Sequence, residues 1–185
     1  MKTFFWFLAV VLWVSMSAQN LHAQQATSTI PGDVEARLKQ LGISLPEASK
    51  PVANYVQAVR TGNLIFLAGT GPKNPDGTYI TGKVGKDLSL EQGYQAARLT
   101  GINLLSSLKA EIGDLNKVKR IVKVFGMVNA DPTFTQHPKV INGFSDLMVE
   151  VFGERGKHAR AAVGMGSLPF GIAVEIEMVV EVTEE

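Results

Sequence analysis

The 185-residue chain carries 18 Lys and Arg against 17 Asp and Glu, a net charge of +1, and no cysteine. That balance lacks the basic footprint of a general nucleic-acid binder, and the missing thiols exclude disulfides and thiolate chemistry.

Met1-Lys2-Thr3 is a short positive start, and Phe4 to Val14 is an unbroken apolar run. The run is shorter than the roughly 20 residues that span a bilayer and fits the core of an export signal. A single-pass anchor is the competing reading. Cleavage is expected after Ala23 or near Ser17 and Ala18. Removal of residues 1–23 takes one Lys and no acid, so 17 basic and 17 acidic residues remain and the charge falls to zero. The remainder is expected to be exported, periplasmic or secreted, with no membrane attachment after cleavage. Residues 24–51 read as a leader containing a short helix, and residues 52–185 as one folded domain.

Within the leader, Gln24 to Ile30 is polar. Asp33 to Leu41 predicts a helix with Val34, Leu38 and Leu41 on one stripe and Gly42 as its stop. Tyr55 to Val59 and Leu64 to Ala68 predict two strands joined through Arg60-Thr-Gly-Asn63 as a hairpin. Gly69 to Gly85 is a long loop punctuated by Gly and Pro, of the kind that is functional or mobile. Ser89-Leu-Glu-Gln92 is a capping box opening a helix to about Ile112, with Gly113 at its end. Gly93 and Gly101 within that helix suggest close packing. Val118 to Val128 predicts an interior strand, on which Lys119, Arg120 and Lys123 intrude. Pro138 to Phe152 predicts a second amphipathic helix, stopped by Gly153. Two terminal strands follow, around Ala159–Val163 and Ala173–Val182.

The order is ββαβαββ, an α+β class. Two long helices cannot cover both faces of such a sheet, so they are expected on one face, with the other buried in an oligomer. In the last strand Val174, Ile176, Met178, Val180 and Val182 point one way and Glu175, Glu177, Val179 and Glu181 the other. Carboxylates on so apolar a strand need a partner, a proton or a task. Arg160, in the preceding strand, is the candidate to share their environment, either as a structural salt bridge or as part of a site. Glu175 and Glu177, roughly 7 Å apart, have a spacing that a glycosidase pair can approach. Same-strand pairs of this kind more often sit on a solvated or interface face. His137 and His158 lie in polar connections and are expected to be solvated. The sequence shows no metal-ligand spacing.

The motifs Ala159-Arg-Ala-Ala-Val163, Leu168-Pro and Val174-Glu-Ile-Glu177 resemble the C-terminal signature of the RidA (YjgF) family of imine/enamine deaminases. Tyr55-Val-Gln, Leu64 to Gly69 and Asn74-Pro-Asp-Gly resemble its N-terminal half. Val34-Glu-Ala-Arg-Leu, Gly82-Lys-Val-Gly and Pro138-Lys-Val-Ile-Asn-Gly resemble the subgroup labelled putative endoribonuclease L-PSP/chorismate mutase-like. The resemblance implies a chorismate-mutase-like homotrimer with clefts between subunits. It implies that Arg160 grips a substrate carboxylate, that Glu175 positions or activates water, and that Tyr55 and Asn142 line the pocket. Gly69 and Ala162 would offer backbone N–H groups. Many relatives carry Cys at the position of Ala162, a departure that bears on substrate fit more than on imine hydrolysis, which needs no thiol.

The implied activity is hydrolysis of small 2-imino or enamine acids of the 2-aminoacrylate type to a 2-oxo acid and ammonia, without a cofactor or metal. One alternative is a non-catalytic trimeric module binding small carboxylates or a partner protein. An endoribonuclease is the other, disfavoured by zero charge because phosphate contacts dominate affinity for RNA.

Overall fold

The computed structural model describes residues 32–51 and 53–183. The export signal expected over residues 1–23, and the polar leader over Gln24–Ile30, lie outside the described residues. The elements run α1 (Val34–Gln40), β1 (Ala58–Thr61), β2 (Leu64–Thr70), α2 (Leu90–Ile112), β3 (Val118–Asn129), α3 (His137–Phe152), β4 (Ala159–Met165) and β5 (Val174–Val182). This is the ββαβαββ order expected, preceded by the short helix.

The boundaries have local causes. The α1 start is capped by Asp33, whose carboxylate accepts the Glu35 N–H. At α2 the capping box forms in full: the Ser89 hydroxyl accepts the Gln92 N–H and the Gln92 side chain accepts the Ser89 N–H. Gly113 ends α2 at φ +77°, a conformation costly for residues with a Cβ. The first hairpin turns tightly, with Thr61 opposite Leu64. Its strand is later than the sequence suggests. Tyr55 to Gln57 precede β1, although the Gln57 carbonyl still accepts from Ala68 N.

The sheet order is β1-β2-β5-β3-β4, antiparallel except for the parallel pair β3 and β4. The last two strands in sequence are therefore not neighbours; β3 lies between them. Both long helices pack on one face. There Ile65, Leu67, Val124, Val128, Val174, Ile176, Met178 and Val180 meet Leu104, Leu105, Leu108, Phe144, Leu147 and Met148 in one buried cluster. The short helix joins this core through Val34 and Leu38. Arg37 Nε donates to the Glu150 carbonyl at 2.8 Å, and Val34 N donates to Asn116 Oδ1 at 2.9 Å.

The opposite face carries Glu175, Glu177, Phe66, Phe125 and Met127. It is covered in part by the connection before β5, through Leu168 and Ile172. Val56, Val59 and Phe66 stand exposed on it. No helix of the described residues is long and apolar enough to cross a membrane.

The helices approach closely through glycine. A Cβ at Gly101 would lie 2.8 Å from Leu147 Cδ2, and one at Gly143 would strike the Tyr94 carbonyl oxygen, a backbone atom that cannot swing aside. Gly143→Ala is therefore expected to destabilise the fold by about 2 kcal/mol or more, measured by urea denaturation. Unchanged stability would contradict this packing.

Candidate functional site

The structure sorts the expected site residues into two groups. Tyr55, Gly69 and Glu175 line one cavity of about 400 Å³, at the end of β2 and opening on the uncovered sheet face. The geometry begins with a β-bulge: Leu67 opposes Met178 but Thr70 opposes Ile176, so β2 has an extra residue around Ala68 and Gly69. The Glu175 side chain lies directly over Gly69. A Cβ there would overlap Glu175 Oε1 and come within 3.1 Å of its carboxyl carbon. Gly69 is thus required by close approach, leaving a flat backbone wall beside the carboxylate.

Burial raises the pKa of Glu175, and the neighbouring Glu177 carboxylate raises it further. Glu177 itself is exposed and level with Phe125. The cavity wall also includes Gln57, Tyr79, Phe170 and Ile172, together with the basic residues Lys50 and Lys73. The long loop expected after β2 is ordered by its own hydrogen bonds and is anchored from α2. The Asn103 amide donates to the Gly71 and Lys73 carbonyls at 3.2 and 3.1 Å. Phe170 is 81% exposed and is the only non-glycine with positive φ (56°) among the described residues. A bulky residue held there stores backbone strain at the cavity rim.

The second group is Asn142, Arg160 and Ala162. Arg160 lies on β4 and turns to the helix side. Its Nη1 donates to Asn142 Oδ1 at 3.0 Å and to Ser145 Oγ at 2.8 Å, and Nη2 donates to the Pro138 carbonyl at 3.4 Å. Asn142 is therefore no helix cap; it sits inside α3 and orients the guanidinium. These bonds occupy both Nη1 hydrogens. The parallel Nε–H and remaining Nη2–H form the side-on edge suited to a two-oxygen anion. Burial lowers the Arg160 pKa, partly offset by Asp146, and the group stays cationic. Ala162 lies next along the same row, packed against the helix-side core.

One chain does not bring Arg160 and Glu175 together. Arg160 is level with Val124 and Glu175 with Met127, with β3 between them. Two strand spacings and a three-residue offset put their Cα atoms about 14 Å apart. Their side chains leave opposite faces of the sheet. Neither a salt bridge nor a shared pocket forms within the chain, contrary to the shared environment expected from their proximity in sequence.

The histidines also differ from expectation, because both are partly buried and packed. His158 is held between Ser145 Oγ at 3.0 Å and the Gly156 carbonyl at 2.7 Å, edge-on to Phe144. His137 lies over Gly164 and edge-on to Phe134. Sequence reasoning passed over Ser145, Asn103, Tyr79 and Phe170. Asn103 carried a signal, a polar residue among the apolar positions of α2; Phe170 carried none. In the basic run, Lys119 pairs with Glu181 at 2.8 Å, while Lys123 borders the exposed apolar groove. No cluster of three or more His, Asp or Glu among the described residues is arranged to hold a metal ion.

The raised pKa has a stability consequence with a definite sign. Folding favours the neutral form of Glu175. Its contribution is intact below the unfolded carboxyl pKa and is lost as pH rises through the folded value. Glu175→Gln is therefore expected to resist urea better than the wild type near about pH 7 and to match it near about pH 3. A less stable variant at neutral pH would contradict this assignment.

Comparisons with known proteins agree with this architecture. Residues 35–181 match the family model described as YjgF/chorismate mutase-like, putative endoribonuclease. The chain is 46% identical over 151 residues to Protein TCP17 of Trypanosoma cruzi, covering 81% of this chain and 94% of that protein. It is 27% identical over 139 residues to the 2-iminobutanoate/2-iminopropanoate deaminase of Dermatophagoides farinae, covering 75% and 93%. The crystal structure of Atu1372 from Agrobacterium tumefaciens superposes with a TM-score of 0.76 at 45% identity, covering 81% of this chain and 92% of that one. A putative endoribonuclease from Shewanella oneidensis gives 0.78 at 30% identity, covering 81% and 99%. With a family model spanning most of its length and relatives this similar in sequence and fold, the chain belongs to the YjgF (RidA) family of chorismate mutase-like proteins.

Proposed function

We propose that this protein is a hydrolytic deaminase of small 2-imino and enamine acids, working at a site completed by a second copy of the chain. The observation that carries the reading is Glu175: a partly buried carboxylate with a raised pKa, seated against bare backbone in a cavity. A carboxylate whose pKa is moved towards neutrality is a better general base for water. The Dermatophagoides relative, named for deamination of two short imino acids, supports the same chemistry.

Arg160 supplies the other requirement, a planar cation whose Nη1 hydrogens are held by Asn142 and Ser145, which leaves its Nε side to hold the substrate carboxylate. In one chain it faces away from Glu175, so the two act on one substrate when Arg160 of one copy meets the Glu175 cavity of another. The exposed Val56, Val59 and Phe66 beside that cavity fit a surface buried between copies, and the homotrimer implied by the family resemblance is the assembly we favour. Water, activated by Glu175, adds to the electrophilic imine carbon, and the carboxyl proton then assists departure of ammonia. The product is the 2-oxo acid. Residues 1–23 direct this activity to the periplasm or outside the cell.

Two measurements test the reading. The purified protein is expected to accelerate ammonia release from freshly generated 2-aminoacrylate, and Arg160→Ala and Glu175→Gln to abolish the gain. Equal release with and without protein would overturn it. Phe66→Glu, which places a charge on the exposed apolar face, is expected to lower the mass measured by sedimentation equilibrium to that of one chain and to remove the activity. A fully active monomer would overturn the shared site.

A further inference from the structure

We propose that His158 is a positioning residue, acting through Ser145 to set the edge that Arg160 presents to a carboxylate. The inference rests on the reading that Arg160 grips the substrate carboxylate, and it adds two residues to that machinery.

The hydrogen-bond chain has one consistent direction. The Gly156 carbonyl, 2.7 Å from His158 Nδ1, can only accept, so Nδ1 carries the proton. In the neutral ring Nε2 is then an acceptor, and Ser145 Oγ, 3.0 Å away, must donate to it. With its single hydrogen committed to His158, Ser145 turns a lone pair to Arg160 Nη1 at 2.8 Å. Burial lowers the His158 pKa, the Gly156 carbonyl opposes that, and the Arg160 charge lowers it again. The neutral ring this direction requires is thus the form the surroundings favour.

The imidazole is fixed at its far end as well. Gly156 is buried, and any side chain there would strike the Met148 carbonyl, so the turn carrying the accepting oxygen is held by backbone packing. The ring lies edge-on to Phe144, with centroids 5.9 Å apart. A hydroxyl is otherwise a free rotor. Here the imidazole fixes it, and the hydroxyl in turn, with Asn142 Oδ1, occupies both Nη1 hydrogens of Arg160. That leaves the Nε and Nη2 side of the fork for the ligand. Without Ser145, an Nη1 hydrogen loses its acceptor and the guanidinium can rotate its end-on edge outward.

The test measures binding of 2-oxobutanoate, a stable 2-oxo acid, to the purified protein by calorimetry. Ser145→Ala is expected to weaken Kd about tenfold, the size of a lost hydrogen bond to a charged group, and His158→Leu about fivefold, the size of a lost neutral hydrogen bond. His158→Gln, which keeps an acceptor for Ser145, is expected to stay within about threefold of the wild type. With 2-aminoacrylate as substrate, Ser145→Ala should raise KM and spare kcat, because Glu175 is untouched. Long-range 1H–15N NMR of the imidazole should show the proton on Nδ1. Wild-type affinity in Ser145→Ala and His158→Leu, with binding lost in Arg160→Ala, would overturn the relay and leave the carboxylate clamp standing, as would a ring protonated on Nε2. Wild-type affinity in Arg160→Ala would overturn the clamp and the relay together.

Discussion

The five-stranded sheet is covered by helices on one side only, and most of the molecule's chemistry follows from that asymmetry. On the covered side α2 and α3 come close enough that Gly101 and Gly143 leave no room for side chains. Val174, Ile176, Met178, Val180 and Val182 are consumed by that packing. The alternate residues of the same strand are then forced outward, because side chains in a strand alternate. Glu175 is one of them. Its partial burial comes from the cavity built by the bulged end of β2 and the connection before β5, rather than from the main core.

The parallel pairing of β3 and β4 has the complementary effect. It carries β4 to the far edge, away from β5, and lets Arg160 reach along the side of α3. A direct Arg160–Glu175 pair inside one chain would lower the carboxylate pKa. Holding the two groups on opposite faces keeps Glu175 under the influence of burial and of Glu177, while Arg160 is oriented by neutral acceptors from Asn142, Ser145 and Pro138.

Much of the fold was legible because it rests on local rules. The Ser89 capping box, the Gly113 and Gly153 stops and the alternation along β5 all appear in the structure where the residues place them. The site was legible in its parts. Tyr55, Gly69 and Glu175 do converge on one cavity, though nothing in their spacing says that a bulge seats Glu175 against bare backbone. His158 reads as a polar loop residue because its partners, Ser145 on α3 and the Gly156 carbonyl, meet it only after the chain has turned through Gly153–Gly156. Phe170 carries a backbone strain that composition does not reveal.

The sequence by itself determined the elements, their faces and the family, since periodicity, caps and motif order are properties of neighbouring residues. Tertiary structure alone decided which residues share space. Two strands adjacent in the chain are parted by a third, and a pair of charges fifteen positions apart in sequence face opposite ways. Strand order and pairing direction depend on long-range contacts that no window of residues contains. It was this ordering that set Arg160 and Glu175 on opposite faces of the sheet rather than in a salt bridge.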